Sequence, residues 1–305
     1  MQVIRDLSTL SPGGRSAITV GTFDGFHLGH RAILDALRDA AAPNGLTPTI
    51  VTFDPHPRKV VGKPGQPVVL LTTTREKLAI FEEAGIARCV VIPFSREFAA
   101  LSSEAFIALL HERLHIGAMV IGYDHHFGKN REGGIEQLEA LGARHGFGVA
   151  QVPPLQIDGE PVSSTRIRRC LEDGDAAGAA RLLGRPYALT GTVVRGDQRG
   201  QTMGFPTANL EIDDADKLIP ARGVYAVDVT VGAARYRGMM NIGVRPTFDF
   251  DRLTLEVHLF NFSASLYGEE LTVFFRQYIR PERKFGGPDD LRRQLERDKR
   301  ACENV

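Results

Sequence analysis

His27 and His30 stand three residues apart, a spacing that can set both imidazoles on one face of a helix's first turn, beside backbone N–H groups that attract phosphate. Ring N–H donors there can hydrogen-bond a phosphate whose negative charge grows as a nucleophile attacks. The two histidines belong to "GTFDGFHLGH", Gly21 to His30, which joins the candidate strand "AITV" to a helix carrying Ile33, Leu34 and Leu37. That is the carboxyl end of the first parallel strand, where open sheets bind ligands. The stretch is too polar for core and too rich in glycine for a stable helix. It is either a solvated glycine turn or a wrapping for a ligand.

Three further stretches carry similar chemistry. In "TFDPHP", Thr52 to Pro57, two prolines are expected to hold the chain extended and expose Asp54 and His56, although a plain rigid loop reads the same way. "GYDHHFGKNREGG", Gly122 to Gly134, leaves another strand end with Asp124, Phe127, Lys129 and Arg131. Its adjacent His125 and His126 lack further ligands at a zinc spacing. "SSTRIRR", Ser163 to Arg169, offers hydroxyls to cap a helix whose first turn bears Arg166 and Arg168. Hydroxyls, open N–H groups and guanidinium together can hold a triphosphate; a capped helix with solvated arginines is the alternative.

The second half has its own set. "GTVVRGDQRGQTMGFPTANL", Gly191 to Leu210, lets backbone N–H groups approach phosphate, and Thr207 and Asn209 place neutral oxygens on one side of an extended chain. Such oxygens suit magnesium, which takes few protein ligands and fills the rest from water and phosphate. An ordinary glycine-rich hairpin fits the same residues. In "LTLEVHLF", alternation puts Leu253, Leu255, Val257 and Leu259 on one face to pack and leaves Thr254, Glu256 and His258 on the other. Glu256 can take a proton from an alcohol as it attacks, or can simply be solvated.

These residues need a frame. From Ala17 to about Val152, Val- and Ile-rich runs ("AITV", "TIVTF", "CVVIPF", "AMVIG") alternate with helical patterns, as in a parallel sheet with crossover helices. In "REKLAIFEEAG", Leu78 and Phe81 share a face and Gly85 is placed to end the helix; "SEAFIALLHERLH" is apolar at Phe106, Leu109, Leu110 and Leu114. Beyond "RPYALTG" two-residue alternation takes over, so the domain boundary falls near Pro186. "GVYAVDVTV", "LTLEVHLF" and "LTVFF" read as antiparallel strands of a small barrel or sandwich, closed by a helix "PDDLRRQLERDKR" with Leu291 and Leu295 one turn apart.

At 305 residues the chain is long enough for two cores. Lys plus Arg and Asp plus Glu number 37 each, which removes any bulk electrostatic case for nucleic acid or an anionic membrane. Cys89, Cys170 and Cys302 are far apart, which fits a reducing cytoplasm. Neither a signal peptide nor a membrane span is read.

"GTFDGFHLGH" with "SSTRIR", through "TFDPHP" and "GYDHHFG", resembles the nucleotidyltransferase module of the prokaryotic bifunctional riboflavin kinase/FMN adenylyltransferase, or FAD synthetase, family. "PTAN", "NIGVRPTF", "LEVHLF", "LYGEEL" and "RPERKF", in that order, resemble its riboflavin kinase module. Where the family often has an aromatic after the acid, His125 stands here.

The resemblance implies a Rossmann-like α/β nucleotidyltransferase domain over 1–186 and a C-terminal antiparallel β-barrel kinase domain with a terminal helix over 187–305. It implies ATP as co-substrate, Mg2+ as cofactor, riboflavin and FMN as substrates, and FMN and FAD as products. It implies catalytic roles for Glu256 as base and for His27 and His30, and a metal site at Thr207 and Asn209. Nucleotide and phosphate contacts fall to Gly21, Phe23, Asp24, Gly29, Asp124, Ser164, Thr165, Arg168, Gly196, Gly200 and Gly204, and flavin contacts to His56, Pro57, Phe127, Arg280 and Phe285. Homo-oligomerisation stays open. Two other readings stand beside it: a kinase whose first domain is inactive or takes another acceptor, and a non-catalytic flavin or nucleotide binder.

Overall fold

The structure is a computed structural model that describes residues 1–7, 14–63, 65, 67–129, 132–196, 204–246 and 251–305. It divides into two compact units, Met1–Ser164 and Thr165–Val305.

The first unit is built on a six-stranded sheet, β1 (Gln2–Ile4), β2 (Ser16–Val20), β3 (Thr47–Asp54), β4 (Arg88–Pro93), β5 (Ile116–Gly122) and β6 (Gly148–Val152), in the order β1-β4-β3-β2-β5-β6. Every strand pair in it is parallel. Its crossovers carry α1 (Leu28–Ala41), α2 (Pro57–Val61), α3 (Thr74–Glu83), α4 (Arg96–Ala99), α5 (Ser103–Leu114) and α6 (Ile135–His145). Alternate residues of one strand serve opposite faces. Ile18, Val20, Val51, Val90, Met119 and Ile121 pack with Phe106, Ile107, Leu110, Leu114 and Leu138 of α5 and α6. Ala17, Ile50, Val91 and Val120 pack with Leu34 and Leu37 of α1 and Phe81 of α3. Covering both faces is what makes the strands read as continuous apolar runs.

The four strands expected from sequence are present. β1 lies ahead of the stretch that showed alternation, and β6 is half-buried and exposed along its length, so it gives no apolar run. α3 begins with a reciprocal cap in which Thr73 Oγ1 accepts from Glu76 N at 3.1 Å and Glu76 Oε2 accepts from Thr73 N at 2.9 Å. It ends before Gly85, which adopts φ +73. A small hairpin, β7 (Gln156–Ile157) with β8 (Glu160–Pro161), precedes α7 (Ser164–Glu172).

The second unit is a closed antiparallel barrel of β9 (Tyr187–Val194), β10 (Ala208–Glu211), β11 (Gly223–Val231), β12 (Ala234–Pro246), β13 (Asp251–Leu259) and β14 (Glu270–Arg280), ordered β10-β13-β12-β11-β14-β9. Its wall packs inward on Tyr225, Val227, Val229, Met240, Val257, Val273 and Phe275, all 0 % exposed. α8 (Ala176–Leu183) precedes it and α9 (Pro288–Glu303) ends the chain. α9 covers an outer patch of Ala226, Met239 and Phe260 through Leu295 and Cys302. The stripe that α9 buries is largely polar, with Gln294 and Asp298 one turn apart. Between a barrel and a sandwich, ladder closure from β9 through β10 to β13 decides for the barrel.

Candidate active sites

Sheet order gathers the motifs of the first unit. β2 lies between β3 and β5, so the turn after Val20, the loop after Asp54 and the loop after Gly122 all leave neighbouring strands at their carboxyl ends. This is where the chain reverses direction across the sheet, and the crevice it leaves is where open α/β sheets take ligands.

The turn itself corrects one expectation. It is not solvated: Phe23, Asp24, Phe26 and His27 are 3 %, 4 %, 0 % and 6 % exposed. Phe23 and Phe26 pack edge-on against Phe81, with centroids at 5.9 and 5.2 Å. Both adopt positive φ, +49 and +39, on either side of Gly25 at +84. Bulky residues resist that conformation, so burial of two aromatic rings is what holds the turn in it. Apolar rings hidden among polar letters gave no periodic signal.

Asp24 supports the turn from beneath. Its Oδ1 accepts from Leu71 N at 2.9 Å, Thr72 N at 3.0 Å and Thr72 Oγ1 at 3.4 Å, while Thr72 Oγ1 accepts from Gly25 N at 3.0 Å. Lys77, 5 % exposed, donates Nζ to Thr22 O at 3.0 Å and Thr52 Oγ1 at 3.1 Å. Burial lowers the pKa of this amine, against the pull of Asp24, Cys89 and Asp54, and burial pushes the Cys89 thiol up to about 12. Lys77 was not singled out from sequence, because its position beside Phe81 on the buried stripe conflicts with its charge.

His27 caps α1. Its Nδ1 accepts from His30 N at 3.4 Å, which requires that nitrogen to be unprotonated and leaves Nε2 to carry the ring proton. The imidazoles of His27 and His30 stack, 3.7 Å between centroids. A Cβ at Gly29 would lie 3.2 Å from the His27 ring, and one at Gly21 would lie 3.1 Å from the Phe23 ring. A side chain at either position would press on the neighbouring ring by a few tenths of an ångström.

The remaining motifs fall as follows. His56 caps α2 by accepting from Arg58 N at 3.1 Å, and Pro57 is the first helical residue. The expected extended loop is thus a helix start, where proline's missing N–H costs nothing. Asp124 is exposed, whereas Phe127 is 6 % exposed and packs on Phe106 at 6.4 Å. His125 stacks on Phe127 at 5.9 Å. Ser164 Oγ donates to Asp24 O at 2.8 Å, tying the start of α7 to the turn, and Thr165 and Arg168 follow in the same helix. Arg131 lies outside the described residues.

In the barrel, Asn209 pairs with Glu256 across β10 and β13, and Glu256 pairs with Asn241 across β13 and β12. Directly opposed residues share one face of a sheet, so a carboxylate stands between two carboxamides. Asn241 opens "NIGVRPTF", and only the register reveals that Glu256 is its neighbour. A Cβ at Gly196 would collide with the Asn209 carboxamide, which makes room for that side chain a condition of the site. Gly204 adopts φ +80 at the turn into Phe205, and Gly200 lies outside the described residues.

The two faces of β13 differ from the simple alternation. Leu255, Val257 and Leu259 are buried as expected, but Leu253 is 43 % exposed at the strand's open end. On the other face Glu256 is half-buried, while His258 is 8 % exposed beneath Phe205 and Phe260.

Arg280 is held by an ion pair with Asp298. Its Nε and Nη2 donate to both oxygens of Asp298 at 2.7 to 3.1 Å, and Gln294 Nε2 donates to the same carboxylate at 2.7 Å. Its guanidinium carbon is 5.8 Å from the centre of the half-buried Phe285 ring, which Arg283 approaches to 4.7 Å.

Comparison with known proteins agrees with this two-part layout. The model of the FAD synthetase family matches residues 11–166 and that of riboflavin kinase matches residues 183–305. The chain is 39 % identical over 282 residues to the bifunctional riboflavin kinase/FMN adenylyltransferase of Listeria monocytogenes, covering 92 % of this chain and 89 % of that one. It is 38 % identical over 302 residues to the protein of that name from Escherichia coli, covering 98 % and 96 %. A solved chain titled macrolide-efflux protein, from Streptococcus pneumoniae, superposes with a TM-score of 0.92 at 32 % identity over 99 % of this chain and 98 % of that one. Among the described residues no helix is long and apolar enough to cross a membrane.

Proposed function

The chain belongs to the bifunctional riboflavin kinase/FMN adenylyltransferase family, and we propose which of its residues carry each of the two reactions. The protein phosphorylates riboflavin with ATP to FMN and adenylylates FMN with a second ATP to FAD and pyrophosphate.

The assignment of the kinase step rests on one observation, the pairing of Asn209 with Glu256. Glu256 takes the proton of the terminal ribityl hydroxyl as that oxygen attacks the γ-phosphate of ATP, so the O–H bond breaks as the new O–P bond forms and ADP departs. Thr207 and Asn209 offer neutral oxygens beside that carboxylate. They fit magnesium, a hard cation that prefers oxygen donors, and the missing side chain at Gly196 leaves room for the Asn209 carboxamide. When bound, magnesium would draw charge from the phosphates. Gly196, Gly200 and Gly204 are assigned to the same phosphate loop.

In the first unit the FMN phosphate attacks the α-phosphate of ATP. His30 and the Nε2 proton of His27 donate toward the charge that develops there. Gly21, Phe23, Asp24 and Gly29 shape the turn, and Asp124, exposed just past the end of β5, is assigned to the same crevice. Ser164 and Thr165 contribute at the start of α7 with Arg168 as phosphate partner. Flavin contacts fall to His56, Pro57 and Phe127 in this unit and, separately, to Phe285 in the second unit; for Arg280 the ion pair with Asp298 favours a supporting role. We set the functional boundary between 186 and 187, immediately before β9. The reading includes a cytoplasmic setting, supported by free thiols at Cys89, Cys170 and Cys302.

The deciding experiment supplies riboflavin, ATP and magnesium to the full chain and separates riboflavin, FMN and FAD by chromatography. Glu256→Gln should stop FMN formation while FMN supplied directly still becomes FAD. Kinase turnover near the wild-type rate in that variant defeats the base assignment.

A further inference from the structure

Backbone pairing between β10 and β13 stops one residue short of Thr207. The register sets Ala208 opposite Val257 and Asn209 opposite Glu256, and β10 begins at Ala208. Continued by one step, it would set Thr207 opposite His258, but no ladder holds the chain there. The His258 side chain does so instead: its Nδ1 lies 2.7 Å from Pro206 O. A carbonyl only accepts, so Nδ1 carries the hydrogen and donates. Thr207 is thereby held from both sides, by the ladder at Ala208 and by the imidazole at Pro206.

The imidazole is itself fixed. It is 8 % exposed, meets Phe205 edge-on at 5.3 Å and lies 5.7 Å from Phe260. Lys299 of α9 stands over the Phe260 ring at 5.5 Å. Burial lowers the His258 pKa, with Lys299 adding to the effect and the Pro206 bond opposing it. The geometry requires a hydrogen on Nδ1, and burial favours the uncharged ring.

We propose that His258 is a positioning residue of the kinase site: through its Nδ1–H bond to Pro206 it sets the place of Thr207, and so the affinity for magnesium-bound nucleotide, without touching substrate. This rests on the reading of Thr207 and Asn209 as the metal pair. A buried ring that only fills space would act through its volume and leave nucleotide affinity alone. The donor role makes a different demand, for an N–H at one point in space.

Three substitutions separate the two. His258→Phe keeps the ring and removes the donor. His258→Asn places an amide N–H near the Nδ1 position, and His258→Gln places it about where Nε2 was. In the full chain, His258→Phe and His258→Gln should raise the KM for MgATP in riboflavin phosphorylation by about five- to tenfold, the range of one lost hydrogen bond. The KM for riboflavin and the FMN adenylylation rate should stay within about twofold. His258→Asn should recover most of the loss. Calorimetric titration with MgADP, which needs no turnover, should show the same order of affinities for the barrel site.

Equal impairment of the Asn and Gln variants, or an unchanged MgATP KM and MgADP affinity in the Phe variant, overturns the proposal. If the Phe variant melts early, the Asn and Gln pair still decides, because both lose the ring and differ in where the N–H falls. Asn209→Ala is measured alongside. Full kinase activity in it overturns the metal assignment, while loss in it with an unaffected Phe variant overturns the role of His258 alone.

Discussion

The imidazoles of His27 and His30 lie face to face, with ring centroids 3.7 Å apart and planes 14° from parallel. His27 is locked by its cap on the His30 N–H, and His30 is wedged by Phe23, edge-on at 5.2 Å. Donors held this rigidly cost little reorganisation when charge builds on a phosphate. His30→Ala should lower FMN adenylylation by about a hundredfold, the usual cost of losing one such donor, while riboflavin phosphorylation continues. A melting curve must accompany the assay, and a variant that is folded and fully active in adenylylation removes His30 from the mechanism.

Asp24 can be tested as a clamp. Asp24→Ala leaves the Leu71 and Thr72 N–H groups without their carboxylate in a buried setting, at about 1–3 kcal/mol for each unsatisfied donor. The melting temperature of the first unit should fall by several degrees and adenylylation should fall with it. Asp24→Asn keeps an acceptor oxygen and should retain most of both. Equal stability of the Ala and Asn variants would mean that the two hydrogen bonds contribute nothing.

Glu256→Gln separates the two reactions. Without a proton acceptor the kinase should slow by about 10²- to 10⁴-fold, the range attributed to general-base assistance. Unchanged melting and unchanged FMN-to-FAD conversion would show that the loss is local.

The pair formed by Arg280 and Asp298 bears on stability before substrate. With the Asp298 side chain 2 % exposed, Arg280→Ala strands a buried carboxylate, which costs about 3–5 kcal/mol in such pairs. Combining Arg280→Met with Asp298→Leu should restore much of the melting temperature. An Arg280→Ala variant with wild-type melting and a raised riboflavin KM would return Arg280 to the flavin site.

Acid sensitivity should concentrate where α5 meets α6. The His111 ring lies 5.2 Å from His145 and 6.0 Å from Phe147, and Arg15 donates to Gly146 O at 3.0 Å. Burial comes first, then the charges of His145, His115 and Arg15, in holding His111 below its ordinary 6.5. A depressed folded-state value means stability that is whole above pH 6.5 and lost as pH falls through the lower folded value. Melting temperatures measured from about pH 7.5 down to about pH 5 should decline, and His111→Gln should make the decline shallower. An identical slope in the variant would place the acid sensitivity elsewhere.

Residue spacing alone determined a good part of this protein. The Val- and Ile-rich runs announced β2 to β5 because strands covered on both faces must be apolar throughout. The histidine spacing pointed to the His27/His30 pair, and the cap that His27 makes on the His30 N–H brings the two rings together.

Only tertiary structure decided the rest. That Glu256 stands between Asn209 and Asn241 depends on the register of three strands distant in sequence. That Arg280 is spent on Asp298 and Asp24 on Thr72, and that Lys77 is buried, depends on which charges long-range packing encloses and must then satisfy. A residue's type states which bonds it can make. Burial and register choose among them, because a polar group withdrawn from water has to take the partner the fold puts within reach.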